Sequence, residues 1–454
     1  MGSPREIVAR MLDSLRTRLW PLPAIGVVVA VVVAIAFTKL DAAVDDDLPT
    51  NVSDLIFGGD AEAARSLLAA IAGSLITVTS LTFSLTVVTL QLASSQFSPR
   101  LLRTFTRDRF VQATLAVFLA TFVYALTVLR TVRTEHSNQA EVVPQMSVTF
   151  GFLLALASVL ALVLFLAHLV RQIRVETMLE QVHDDARQTA LRELSERQPG
   201  HVDEALPETP ENARLVLARG SGFLNSVDSE VLMRAVCDQD AAIAVQRVLG
   251  SFVVAGTPVA AVWPRAAAAT WPDEEFEQLT ERCSAALELG FERTSIHDVS
   301  YGLRQLADVA TKALSPGIND PTTACHTIDK TAALLSELAA RDLGPELVRD
   351  DDGAVRVAIP RSSFGELLDL AVHQPRRYGA ADPGVVARLF WLLRDLAWST
   401  DVPSHRAEVR TQLSRLQRSA AQQDFDPEEE QQIEAYGREV EAALDGRWIG
   451  PATS

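Results

Sequence analysis

The residues best suited to chemistry are hydroxyls set inside an apolar run. Residues 73–91 carry Ser74, Thr77, Thr79, Ser80, Thr82, Ser84, Thr86, Thr89 and Gln91 among Leu, Ile, Val and Phe, without a single charge. On a helix turning about 100° per residue, Thr77, Ser80, Ser84 and Gln91 share one face, and Thr79, Thr82, Thr86 and Thr89 share the opposite one. Hydroxyl oxygens can replace part of an ion's hydration shell without burying a formal charge. One stripe is therefore expected to line a water-filled path and the other to meet a neighbouring helix. The competing expectation is plainer: Ser and Thr bond back to their own helix or pack at helix interfaces.

Two further segments concentrate polar groups. Residues 91–102 read QLASSQFSPRLL, and Pro99 is expected to break or kink the helix because it lacks a backbone donor. Gln96, Ser98, Arg100, Arg103 and Arg107 then form a basic stretch suited to lipid headgroups or to the mouth of a path, and equally to anchoring topology. Residues 315–321 read SPGINDP. Asp320 ahead of Pro321 fits a helix N-cap, and Gly317 fits the end of the preceding helix. A helix-loop-helix corner explains most of this motif. The functional alternative is a ligand or subunit contact through Ser315, Gly317, Asn319 and Asp320.

Catalytic and metal chemistry find little support. Cys237, Cys283 and Cys325 are too dispersed for a zinc site or a disulfide framework. His297-Asp298 and His326 with Asp329 are placed on expected helices, but no metalloprotease or phosphate-loop spacing occurs. His168, near the end of the fourth apolar run, is a group that could titrate near neutrality, although an interfacial role suits it as well. No cofactor is expected, and the chain is not expected to be an enzyme.

The elements that carry these residues follow from hydropathy. Hydrophobic residues make up 48% of the 454 positions and charged residues 22%. That average hides a division, because apolar residues crowd into the first 170 positions. Four charge-free runs, at about 22–38, 67–92, 110–129 and 148–170, approach or pass the roughly 20 residues that a spanning helix needs. A soluble single-domain enzyme is thereby excluded. The first run has the basic flank of a signal peptide, but its core is long and three more spans follow, so it is read as a retained helix. Arg5, Arg10, Arg16 and Arg18 precede the first span, Arg100, Arg103, Arg107 and Arg109 separate the second and third, and Arg171 and Arg174 follow the fourth. The loop after the first span is acidic instead. These biases place both termini in the cytoplasm. A net charge of −17 argues against a nucleic-acid partner.

Beyond the spans, residues 171–198 keep a charged helical pattern and read as the fourth helix running on, with a linker completing 176–212. Residues 213–271 hold strand signals at 214–218, 222–227, 242–248, 251–254 and 258–263 around a short helix at 229–237, which predicts a small β-barrel or sandwich. Residues 272–448 are mainly helical, at 297–314, from 321 to about 338, and at 383–398, 408–420 and 427–444. One strand is expected at 355–360, and 449–454 forms a tail. The fold class is thus a four-span α-helical membrane domain (1–175) plus a cytoplasmic α+β region.

Ser95-Gln96-Phe97-Ser98-Pro99-Arg100 just after a span, together with Ala313-Leu314-Ser315-Pro316-Gly317-Ile318-Asn319-Asp320-Pro321, resembles an uncharacterised family of bacterial membrane proteins, domain of unknown function twenty-two fifty-four. The resemblance covers about residues 11–398. It implies an integral inner-membrane protein with a cytoplasmic C-terminal region, and it brings no activity, substrate or catalytic residue. The leading functional expectation is a homo-oligomeric ion channel or channel-like transporter in the plasma membrane. Its partners would be the lipid bilayer, further copies of itself and inorganic ions, with Thr77, Ser80, Ser84 and Gln91 facing the axis. The alternative is a non-conducting membrane-anchored sensor or scaffold whose cytoplasmic module binds a ligand or protein.

Overall fold

The long apolar runs of the sequence become helices that satisfy their own backbone groups, as any segment crossing lipid must. The computed structural model describes residues 20–44, 57–96, 108–133, 143–172, 174–198, 200, 204–266 and 271–448. These divide into two units, Met1–Thr177 and Met178–Ser454. In the first, α1 (Pro21–Val44), α2 (Ala61–Gln96), α3 (Arg109–Leu129) and α4 (Gln145–Gln172) are each long and apolar enough to cross a membrane. The third helix is the hub: α3 packs against α1, α2 and α4, and α4 also touches α1 and α2. Phe118, Tyr124, Leu68, Val148 and small residues such as Ala34 and Ala64 fill the centre. Small side chains let helices approach closely where lipid supplies no hydrophobic drive.

The fourth span does not run on unbroken. It ends at Gln172, and a separate helix, α5 (Val175–Glu193), follows. α5 is amphipathic and buries Met178, Leu179, Val182, Ala186 and Ala190.

The second unit contains α5 from Met178 onward and an α+β body. Its strands are β1 (Arg214–Leu217), β2 (Gly222–Val227), β3 (Ala241–Val245), β4 (Phe252–Val253), β5 (Pro258–Pro264), β6 (Leu287–Gly290), β7 (Glu346–Arg349) and β8 (Val355–Ile359). They form no barrel. A five-stranded sheet runs β1-β5-β3-β8-β7, and a three-stranded sheet runs β4-β2-β6. The expectation of closure fails because β3 pairs in parallel with β8, more than a hundred residues away, while β7 extends the sheet antiparallel beyond it. β2 pairs with β4 and with β6, so it is not available to close the larger sheet. Both sheets stay open. The helices α6 (Ser229–Cys237) and α7 (Asp273–Ala285) contribute Leu232, Val236, Leu279 and Cys283 to the core beneath the strands. Burial pushes the Cys283 thiol up to about 12, so it stays a packed thiol.

The helical remainder comprises α8 (Ser300–Ala313), α9 (Pro321–Ala339), α10 (Phe364–Tyr378), α11 (Pro383–Ser399), α12 (Pro403–Ala420) and α13 (Pro427–Leu444). Aspartate-proline starts recur, with Asp320, Asp382 and Asp426 capping helices whose first residue is proline, where the missing N–H costs nothing. α10 was not expected from sequence because it contains Gly365 and Pro375. Its start is fixed by the Ser363/Glu366 capping box, and Pro375 falls in its closing turns. His297 and Asp298 precede α8 instead of lying on it.

Candidate functional site

Along α2, two opposed seams separate the hydroxyls. Ala61, Ala64, Leu68, Ile71, Leu75, Thr82 and Thr89 are buried, at the three-, four- and seven-residue steps of a helix seam. Thr86 is buried beside them and Thr79 is half-buried. Thr79, Thr86 and Thr89 donate to backbone carbonyls one turn back, at 2.7, 2.8 and 2.9 Å. The Thr82 hydroxyl is buried without a partner. On the opposite face, Thr77, Ser80, Ser84 and Gln91 are all exposed, and so are Ser66, Ala70 and Gly73. These residues continue one seam at 66, 70, 73, 77, 80, 84 and 91.

Glycine positions separate the two faces. A Cβ at Gly26 would lie 3.2 Å from the Ala116 carbonyl, and one at Gly151 would lie 3.4 Å from Leu68 and Tyr124, whereas nothing lies within 4 Å at Gly73. Gly73 therefore serves no close approach within its own chain. Thr77 donates back to Gly73 O at 3.1 Å. Gln96 ends α2, while Ser98, Arg100, Arg103 and Arg107 lie outside the described residues, as does the side chain of Gln96.

Two carboxylates that sequence reasoning passed over tie this unit together. Asp41, buried at the end of α1, accepts from the backbone N–H groups of Met146 and Ser147 at 2.8 and 2.9 Å and from the Ser147 hydroxyl. It caps the first turn of a helix 105 residues away in sequence. Asp108 caps α3 through Phe110 N at 2.8 Å. Its second oxygen pairs with His168 at 2.6 Å and accepts from Gln172 on α4. His168 is thus a partner in an interhelical clamp, next to the Phe110 ring.

In the second unit, the 315–321 motif forms a tight corner. Asp320 accepts from Thr323 N at 3.0 Å and Thr323 Oγ1 at 2.6 Å. These hydrogen bonds hold the Asp320 carboxyl below its ordinary value. Ser315 donates to Lys312 O at 2.6 Å. The residue that turns the chain is Asn319, at φ +48°, not Gly317, whose surroundings are open. Asn319 tolerates this left-handed backbone better than most residues. The tip, Pro316 to Asn319, is exposed.

A cleft of about 620 Å³ opens between the β3–β4 loop, Arg293, α8, α10 and α12. Arg293 and Ser300 in its lining belong to a charged cluster. Asp298, 4% exposed, pairs with Arg293 Nε at 2.5 Å, and its other oxygen accepts from Ser300 N and Oγ. Arg293 also donates to Ser300 Oγ at 2.6 Å. Gly250, at φ +80°, crosses directly above, where a Cβ would fall 1.9 Å from Asp298 Oδ2. The segment that carries Arg293 and Asp298 also holds α5: Thr189 donates to Ser295 O at 2.9 Å, Arg192 donates to Ile296 O, and His297 Nδ1 sits 3.0 Å from Glu193. The hydrogen bond to Glu193 raises the His297 pKa against the opposing effect of burial. Burial works against the Glu193 charge, but bonds from His297 and Arg192 outweigh it and hold the carboxyl below its usual value. Of this cluster the sequence had singled out only the pair His297-Asp298. Among the described residues, no group of three or more His, Cys, Asp or Glu could hold a metal ion.

Comparison with known proteins agrees with the four apolar helices. Residues 16–395 match the family model described as Predicted membrane protein (DUF2254). The chain is 36% identical over 429 residues to the uncharacterised protein Rv1290c of Mycobacterium tuberculosis, covering 91% of this chain and 78% of that one. The uncharacterised protein Mb1321c of Mycobacterium bovis matches to the same extent. No solved structure matches the chain.

Proposed function

The chain belongs to the DUF2254 family of predicted membrane proteins, and from that premise we propose that it forms a homo-oligomeric channel or channel-like transporter, with α2 of each copy around the axis. Both termini are cytoplasmic in this reading, as the arginines flanking the spans favour, and the membrane is the bacterial plasma membrane. The observation that carries the proposal is the uncovered seam of α2. Ser80, Ser84 and Gln91 expose polar groups that have no hydrogen-bond partner among the described residues. In hydrocarbon such groups are costly. Water along an axis, or the matching seam of another copy, removes that cost. Symmetric closure around an axis then supplies the path.

Planar-bilayer recording of the purified protein tests the proposal. Currents are expected, and Thr77→Leu and Ser84→Leu should reduce or abolish them. Silence under voltage, tension and varied pH, or currents indifferent to both substitutions, would overturn it.

A further inference from the structure

The cleft of the second unit has a bias in what it leaves unpaired. Its arginines are committed: Arg293 to Asp298 and Ser300, and Arg415 to Asp369 at 2.7 Å. Arg304 is engaged as well. Beside these pairs the cleft holds an acceptor with no partner. Gln412, on α12, is 2% exposed. Its Nε2 donates to Asp369 Oδ1 at 2.9 Å, the same oxygen that takes Arg415. A carboxylate paired with an arginine can only accept, so the amide cannot be flipped. Gln412 Oε1 is therefore fixed as an acceptor, and it is buried with no partner. A buried unpaired carbonyl oxygen is an uncommon cost in a folded protein and asks for a donor.

Charge points the same way. Glu408 lies one helical turn before Gln412, on the same face of α12, and has no ion-pair partner among the described residues. Its carboxylate lies across Gly365, where a Cβ would come within 2.7 Å of Glu408 Cδ. Glu366 spends one oxygen on the backbone of Ser363 and lines the same cleft. This end thus presents two carboxylates, Glu408 and Glu366, and the orphan acceptor of Gln412.

We propose that this cleft binds a small organic cation bearing N–H donors, a guanidinium or primary ammonium compound, with its head between Glu408 and Gln412 Oε1. The volume suits a molecule of metabolite size. The N–H groups supply what Gln412 lacks, and the positive charge answers Glu408 and Glu366. This site stands independently of whether the membrane unit conducts.

The test is isothermal titration calorimetry on the full-length protein in detergent at low ionic strength, with agmatine and putrescine as probes. Tetramethylammonium, which has charge but no N–H, and inorganic phosphate are the contrasts. Saturable binding of agmatine or putrescine is expected, weakened by about tenfold or more in Gln412→Leu and in Glu408→Gln, as fits loss of a charge-assisted or buried hydrogen bond. Glu408 is exposed, so Glu408→Gln should melt like the wild type and keeps the test valid if Gln412→Leu folds poorly. Absence of saturable binding by both amine probes overturns the proposal. So does equal binding by tetramethylammonium, binding of phosphate in their place, or amine binding unchanged by Glu408→Gln.

Discussion

Gly73 offers the sharpest separation between packing inside one chain and packing between chains. Nothing lies within 4 Å of a Cβ placed there, so Gly73→Ala should stabilise the single chain by about 0.5–1 kcal/mol through reduced backbone freedom. Gly73→Ile should likewise leave the chain's own fold intact. If the seam meets a second copy, the branched side chain overpacks that contact, at about 1–3 kcal/mol per inserted side chain. A two-fold interface carries the change twice, giving about 2–6 kcal/mol, so dissociation should rise at least thirtyfold at 1.4 kcal/mol per decade. Gly151→Ile is the control: its Cβ is already in contact with Leu68 and Tyr124, so it should lower the melting temperature of the chain itself. Native mass spectrometry in detergent reads the oligomer, and thermal unfolding reads the fold. The reasoning fails if Gly73→Ile keeps the wild-type mass distribution, or if it lowers the melting temperature as Gly151→Ile does.

Three further outcomes are expected. Asp41→Ala removes the acceptor of three donors at the start of α4 and should cost about 2–4 kcal/mol; Asp60→Ala, which loses one exposed cap to Ala63 N, should cost about 1 kcal/mol, and thermal melts of both variants check the ratio. The Glu193–His297 pair should be most stabilising between the ordinary carboxyl and imidazole values of 4.5 and 6.5. The raised His297 contribution is lost as pH climbs through its folded value, the lowered Glu193 contribution is lost as pH falls, and His297→Gln should flatten the alkaline part of a melting-temperature profile. At the corner motif, Asp320→Ala should cost about 1 kcal/mol as a lost cap, Asn319→Val should cost about 1–2 kcal/mol at its positive φ, and Gly317→Ala should be neutral in the same melts.

Much of the fold was legible because its causes are local. Four charge-free runs long enough to span a bilayer mark α1 to α4, whatever surrounds them. Asp320-Pro321 marks a helix start, since a cap needs only its own first turn. The 3.6-residue period alone puts Thr77, Ser80 and Ser84 opposite Thr79, Thr82 and Thr86. Local rules also misled where two of them competed: Gly365 and Pro375 obscured α10, and continuous charge patterning hid the break between α4 and α5. β6 and β7, four residues each, are too short for alternation to register.

What the chain order could not decide is which groups meet. Periodicity divides the α2 hydroxyls into two stripes, and only packing against α3 and α4 decides that the Thr82 stripe is covered while the Ser80 stripe is not. β3 finds β8 across more than a hundred residues, and Asp41 finds the start of α4 across a comparable distance. The cleft draws on five stretches between Val248 and Arg415, none of which is unusual alone. Helix content follows from bonds four residues long. Open sheets, interhelical carboxylates and an orphan glutamine oxygen follow from contacts whose partners are distant in sequence, and those exist only once the chain has folded.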